Sequence, residues 1–464
     1  MDELSVRRLL LVVALGLAAC AKRTATPPSL AVDARLIASA ATAADRIAVI
    51  SEREPDAAWT RLRELTHDIG HRISGSTALD RAIAWAERHM RNDGLDDVRT
   101  DPVMVPHWVR GTERGRIVRP IRRRLSLLAL GGSVGTKGEL RAPVVAFDSL
   151  DALRARTAPL GGAIAFVNQR MPPYDEATHD PGYRVGLPAR LHSASEAARR
   201  GASAVLVRSV TAIRSKYPHA GALAYDDDAP RIPAAAISTE DADELAVLAR
   251  RGPVEVSLFL GAHQLPDAPS ANVIGELRGT ERPDEIVLLG AHLDSWDVGQ
   301  GASDDGAGCV AVMEALRLLR ASGLAPRRTI RAVLFTAEEY ELAGARDYQR
   351  RHGGERHVAA FETDFGMGAP EAIGVGTAER VRSMAPLLPL FARFGIRELR
   401  PRAYGADVRS IVETGAMGFH LEPDGRHYFD THHTAADRLD VVRPEDLRRN
   451  AAATALLAWI LADA

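Results

Sequence analysis

Sulfur and surplus charge are both scarce in this chain. Its 464 residues hold two cysteines, Cys20 and Cys309, which excludes a disulfide framework and leaves a hydrophobic core to carry the fold. A formal net charge of -2 gives no electrostatic footprint for nucleic acid, so no such partner is expected. The local basic cluster, Arg122 to Arg124 with Arg116 and Arg119 upstream, reads as a solvated face. No fixed-period repeat is apparent, which excludes solenoids and propellers. The length suits two domains better than one.

The apolar run nearest the N-terminus, Leu9 to Leu17, follows Arg7 and Arg8 and ends in LAAC. It is too short to span a bilayer and has the flanks of a cleaved export signal. The stretch resembles a bacterial lipoprotein signal, in which Cys20 becomes the lipidated first residue; the alternative is a plain signal peptide with an incidental cysteine. Because Ala21 is not an aspartate, the resemblance implies a periplasmic protein anchored to the outer membrane through Cys20. Cys309, on an apolar helix face, reads as a small core residue.

Residues 1–19 are thus read as the signal and 20–45 as a tether, which starts as the proline-containing AKRTATPPSL. Helical patterns run from Ala31 to about Arg53, Ala57 to His67, and Ala78 to Asp93 after the cap signal at Ser76. They place the first part of the main domain at 46–122. His67 and His71 lack partners at a ligand spacing and read as loop residues. From 123 to 264 short β-rich pieces such as APVVAF and ASAVLVRSV alternate with helices such as LHSASEAARRG, the texture of a small inserted α+β domain. No catalytic cluster appears in it, which suggests a lid or substrate-shaping part. Asp226 to Asp228 read as a solvated turn.

From 265 to 464 strand and helix alternate. ANVIGEL, EIVLLGAH, TIRAVLFT, HVAAFETD and Met417 to Leu421 read as strands, and the segments near Ala307 to Ala321, Tyr340 to Arg351, Arg380 to Phe394 and Glu445 to Leu461 as helices. The fold class is therefore α/β, a mixed, mostly parallel sheet with helices on both faces. In such sheets ligands bind outside the carboxyl ends of the strands. Metal-competent groups fall at those ends: His292, Asp294 and Asp304 around EIVLLGAHLDSWDVGQGASDDGAG, Glu338 and Glu339 in TAEE, Asp364 in ETDFG, His432 and His433 in FDTHHT. An imidazole and a terminal carboxylate for each metal, with a carboxylate shared between the two, is the donor set of an open catalytic site. Asp304 is the natural shared group, and Asp294 is placed to orient the His292 ring. Adjacent Glu338 and Glu339 cannot point the same way from an extended backbone, so one should bind metal and the other act as base.

In this order the motifs resemble the co-catalytic di-zinc exopeptidases, the group of leucine aminopeptidases and glutamate carboxypeptidase, and within it the carboxypeptidase Q family. The likeness extends to the protease-associated insert through RSVTAIRSKYPHAGALAYDDDAPRIPAAAISTEDADEL and covers nearly all of the mature chain. It implies two zinc ions, one held by His292 and Asp364, the other by Glu339 and His433, with Asp304 between them and Glu338 as general acid/base. His433 is preferred over His432 because the family's ligand lies four residues before the motif's aspartate, here Asp437. A non-proline cis bond between Asp304 and Asp305, a homodimer, and a dipeptide or short peptide substrate with a free terminus are implied as well.

The chain departs from the family where HHTAADR replaces HHSHGDT, which leaves the ligands intact and changes any substrate contact made there. Tyr404 and Tyr428 either donate to an oxyanion or simply pack, and His219 in PHAG either reaches substrate or packs. Asp297, Asp305, Glu341 and Glu362 read as supporting or structural residues. Two rivals are a binding protein on the same scaffold without chemistry, and a single-zinc glutaminyl cyclase-like enzyme.

Overall fold

Apolar runs without polar alternation can be buried on both faces only inside a sheet that helices cover twice. In the computed structural model, which describes residues 30–464, that is what they form. The export signal and Cys20 lie outside the described residues. The first sheet contains β1 (Asp96–Val109), β2 (His263–Leu277), β3 (Arg282–His292), β4 (Arg328–Phe335), β5 (Arg356–Glu362), β6 (Pro370–Gly374), β7 (Glu398–Arg400) and β8 (Met417–Pro423). Their spatial order is β1-β2-β4-β3-β5-β8-β6-β7. The central strands β4, β3, β5 and β8 are parallel, β2 and β1 extend the sheet antiparallel on one side, and β6 with β7 completes the other.

Along β3 the period of two is visible in what each side chain meets. Val287, Leu289 and Ala291 enter one core, while Leu288 enters another with Val333, Phe335 and Ala360. The first core is built with helices α1 (Ala34–Arg53), α2 (Thr77–Asn92), α3 (Ala307–Ala321) and, after β8, α4 (Pro444–Asp463). The second is closed by Ala345 and Tyr348 of the helix Ala343–His352 and Ile411 of Arg409–Glu413. α2 starts where the sequence signals it, with Ser76 Oγ accepting from the Leu79 N–H at 3.2 Å.

Two elements differ from their sequence expectation, and a third, β1, had no legible pattern. The helix from Ala57 keeps α geometry only to Arg63 and then widens into a π turn over Glu64–Ile69. The helix expected over Arg380 to Phe394 breaks into Ala378–Met384 and single turns, because Pro386 and Pro389 remove backbone donors. β1 has no clean alternation and carries Pro102 and Pro106, which are tolerated because it lies at the edge of the sheet.

The chain leaves the first sheet at Val109 and returns at His263, the residue paired with it. Between them lies a second eight-stranded sheet, from Glu113–Arg119 to Glu255–Leu260, with helices Leu150–Ala155, Tyr183–Arg199 and Thr239–Arg251. It has one hydrophobic cluster of its own and shares a second with Trp108 and Trp296 of the first domain. Among the described residues no helix is long and apolar enough to cross a membrane.

Candidate metal centre

Parallel pairing aligns strand ends, and the register here aligns the donors. His292 ends β3 opposite Phe335 of β4, and Gly290 lies opposite Glu362 of β5. The residues that follow β4 and β5, Glu338, Glu339 and Asp364, therefore emerge beside His292. His433 arrives from the turn after β8, just beyond the short helix Tyr428–Thr431.

Asp304 lies at the middle of this group. His292 Nε2 is 3.2 Å from Asp304 Oδ1 and 3.5 Å from Asp364 Oδ1. His433 Nε2 is 3.2 Å from the other oxygen, Asp304 Oδ2, and 2.9 Å from Glu339 Oε2. Donors around one tetrahedral metal with ligand bonds near 2.1 Å stand about 3.4 Å apart, so the spacing fits a metal ion on each side of Asp304. Asp304 Oδ2 and Glu339 Oε1 are buried without a hydrogen-bond partner, a costly arrangement unless a cation takes up the lone pairs.

Two neighbours come close to the same donors. His432 Nε2 is 3.5 Å from Asp304 Oδ2 and its ring stacks on His433 at 3.6 Å between centroids, but His433 is nearer and alone reaches Glu339. Asp305 falls in range of His292 and Asp364, while its Oδ2 already accepts the His292 N–H at 3.1 Å. The peptide bond between Asp304 and Asp305 is cis.

Backbone contacts hold the donors still. Asp437 accepts from the N–H groups of Ala302, Ser303 and Asp304 at 3.2, 2.7 and 3.2 Å, which pins the turn carrying Asp304. Arg72, fully buried, donates to the carbonyls of Leu293, Gly70, Gln300 and Gly301 and fastens the loop between His292 and Asp304. The Asp294 carboxylate accepts from Glu338 N at 3.0 Å and Glu339 N at 3.3 Å. Its Oδ1 is 3.7 Å from His292 Nδ1, whereas the Asp294 carbonyl is 3.2 Å away; the carboxylate grips the Glu338–Glu339 turn, and the carbonyl faces the ring. Trp296 donates its indole N–H to Glu339 Oε2 at 2.5 Å. Cys309, in the core as expected, donates to the His292 carbonyl.

The potential of the site is strongly negative. Burial pushes Glu338 well above the usual carboxylate range, with Asp364, Glu339 and Asp294 adding to it against the opposing His292. Burial would lower His292, yet Asp294, Asp304 and Asp364 hold it well above its ordinary value. His433 likewise overcomes burial and rises to about 9, through Glu339 and Asp304. Imidazoles drawn toward the protonated form by surrounding carboxylates mark a site that attracts cations.

The remaining expected residues separate by exposure. Tyr404 is half exposed on the wall of a cavity of about 610 Å³ that touches Asp364, lined also by Tyr183 and Arg184 from the second sheet's helix. Tyr428 is buried against Phe365 and His432, and burial raises its hydroxyl well above the usual value. His219 is buried with neither ring nitrogen partnered, and burial pushes it down to about 3. His67 and His71 are exposed and belong to no donor cluster among the described residues. Asp297 pairs with Arg110, Glu362 accepts from Ala406 N and Val408 N, and Glu341 is exposed. Sequence reasoning missed Arg72 and Trp296. The signal for both was proximity to the motif loop, but a lone arginine or tryptophan has no ligand spacing to flag it.

A sheet edge that gathers imidazoles and carboxylates at this spacing has the donor set of a metallohydrolase. Residues 272–458 match the model of Peptidase family M28. Carboxypeptidase Q from Bos taurus is 36% identical over 410 residues, covering 87% of this chain and 85% of that protein, and the Homo sapiens protein is 35% identical over the same share. The crystal structure of a Peptidase M28 precursor from Shewanella amazonensis superimposes with a TM-score of 0.86 at 35% identity, over 92% of this chain and 98% of that one. A zinc aminopeptidase from Bacillus subtilis shares the fold, with a TM-score of 0.65 at 22% identity over 87% and 93%. The chain belongs to Peptidase family M28, and it is a metallo-exopeptidase.

Proposed function

We propose that this exopeptidase holds two zinc ions, one between His292 and Asp364 and the other between Glu339 and His433, with Asp304 shared. The observation that carries this reading is that the two oxygens of Asp304 face different donor pairs. When bound, the metals would polarise the scissile carbonyl and make water acidic enough to supply a nucleophile at neutral pH. Glu338, whose backbone N–H is fixed by Asp294, takes the proton from the attacking water. It then delivers that proton to the departing amine. Tyr404, on the cavity wall, serves as the oxyanion donor, with buried Tyr428 packed against His432 nearby.

The substrate is a dipeptide or short peptide with a free terminus, in keeping with a cavity of about 610 Å³. The second sheet acts as a protease-associated insert that shapes this space. We assign the protein to the periplasmic side, lipid-anchored at Cys20, with a homodimer as the assembly. Zinc analysis together with hydrolysis of unblocked dipeptides, with and without chelator, tests the reading. Two zinc ions per chain and chelator-sensitive cleavage are expected. Absence of stoichiometric zinc would favour the binding-protein rival, and one zinc with cyclisation of N-terminal glutamine the cyclase rival.

A further inference from the structure

Trp296 joins two parts of the molecule that are far apart in sequence. Its indole N–H donates to Glu339 Oε2 at 2.5 Å. The rest of its ring is buried in the hydrophobic cluster shared with the second sheet, where it lies against Gly131. A Cβ built on Gly131 would fall 2.5 Å from Trp296 Cζ3 and closer still to Cη2, so no side chain fits while the ring stays in place. The Gly131 backbone does not itself require glycine, because its φ lies outside the left-handed region. The approach of the indole is what excludes a side chain there.

Gly131 is in turn held by a neighbouring segment. It follows the strand Leu127–Ala129, donates to the Gly221 carbonyl at 2.9 Å and accepts from Leu223 N at 3.0 Å. Next to Gly221, Ala220 donates to the His433 carbonyl at 2.8 Å. Two hydrogen-bonded segments from the second sheet's side thus reach both terminal donors assigned to one metal, His433 directly and Glu339 through Trp296. The supports of His292, by contrast, are Asp305 and Cys309 of the main domain. A hydrogen bond to a ligating carboxylate orients it toward the ion. Displacing the indole by a methyl group weakens that bond and lets the carboxylate turn.

We propose that Gly131 is a positioning residue for the His433-side zinc: it seats the Trp296 ring that aims Glu339, so that seating of the second sheet and binding of that ion are coupled. This rests on the two-zinc reading above. By reciprocity, whatever shifts the second sheet changes the affinity for that ion, and the ion steadies the seat.

The test measures the two zinc affinities of Gly131→Ala by competition with a chelator. One should be unchanged and the other about tenfold weaker, the worth of one hydrogen bond, and the weakened one should be the affinity that Trp296→Phe also lowers. In the double variant the smaller phenylalanine ring leaves room for the methyl and has no N–H to misplace, so Gly131→Ala should add nothing further. Unchanged affinities would overturn the proposal, and so would equal weakening of both ions or additive losses in the double variant, which would show a merely structural role. A second measurement needs no variant: chelating the wild type should speed backbone hydrogen exchange at 219–223, and unaltered exchange would overturn the coupling. If the wild type binds fewer than two zinc ions, the two-zinc reading has failed instead. The Trp296 indole N–H resonance of the metal-free protein, assigned by its loss in Trp296→Phe, then decides on Gly131: Gly131→Ala should move it, and an unmoved resonance would overturn the assignment.

Discussion

The two sides of Asp304 are built differently. On the His292 side every support comes from the main domain: Asp305 accepts the His292 N–H, Cys309 donates to the His292 carbonyl, and the strand register delivers Asp364. On the His433 side the second sheet takes part. The Ala220 N–H donates to the His433 carbonyl at 2.8 Å and Arg190 lies against the ring, while the Trp296 indole fixes Glu339. One side is set by sheet geometry, and the other also registers where the insert sits.

The largest effect should fall on a group that belongs to neither donor pair. Glu338→Gln removes the proposed proton acceptor but no proposed ligand, so turnover should drop by about 10² to 10⁴-fold with zinc content unchanged; full activity in a zinc-loaded variant would contradict the assignment. The next largest should touch neither side of Asp304. Glu422 is buried against Arg400, Arg402 and His420 on the cavity wall, and Glu422→Gln should cost about 3 kcal/mol by leaving cations unpaired. Burial raises the Glu422 carboxyl, but His420 and the two arginines outweigh it and hold it far below its ordinary value. Its contribution should therefore be complete above about pH 4.3 and shrink as the pH falls further. Denaturant titrations of both proteins at neutral and acid pH check this, and a difference independent of pH would refute it.

Smaller changes separate the sides directly. Asp437→Ala frees the turn that carries Asp304 and should weaken both metals, by about 10- to 100-fold in affinity, read by competition with a chelator. Trp296→Phe removes one hydrogen bond from Glu339 and should weaken only the His433-side metal, by about tenfold. Equal weakening of both metals by Trp296→Phe would erase the distinction between the sides.

The parts of the fold that could be read in the sequence are those written in local periodicity. The run Ile286 to Leu289 had to be a doubly covered strand, and the polar residues after each such run had to meet at one edge. β1 could not be read this way, because Pro102, Pro106 and its mixed polarity suit only a sheet edge, which pairing partners define and sequence does not. The supports of the site were hidden for a related reason. Arg72, Trp296 and Arg190 act from 221, 43 and 243 residues away in sequence from Leu293, Glu339 and His433, distances over which no spacing rule operates. Asp294 was legible as part of the site, but its partners, the backbone N–H groups of Glu338 and Glu339, were not.

What distinguishes a shared carboxylate from two independent sites is the response to its removal. Zinc per chain, measured by elemental analysis on the wild type and on Asp304→Ala purified in parallel, tests this most directly. Two zinc ions should be found in the wild type and none retained stoichiometrically in the variant. A variant that keeps one tightly bound zinc would contradict the shared role of Asp304.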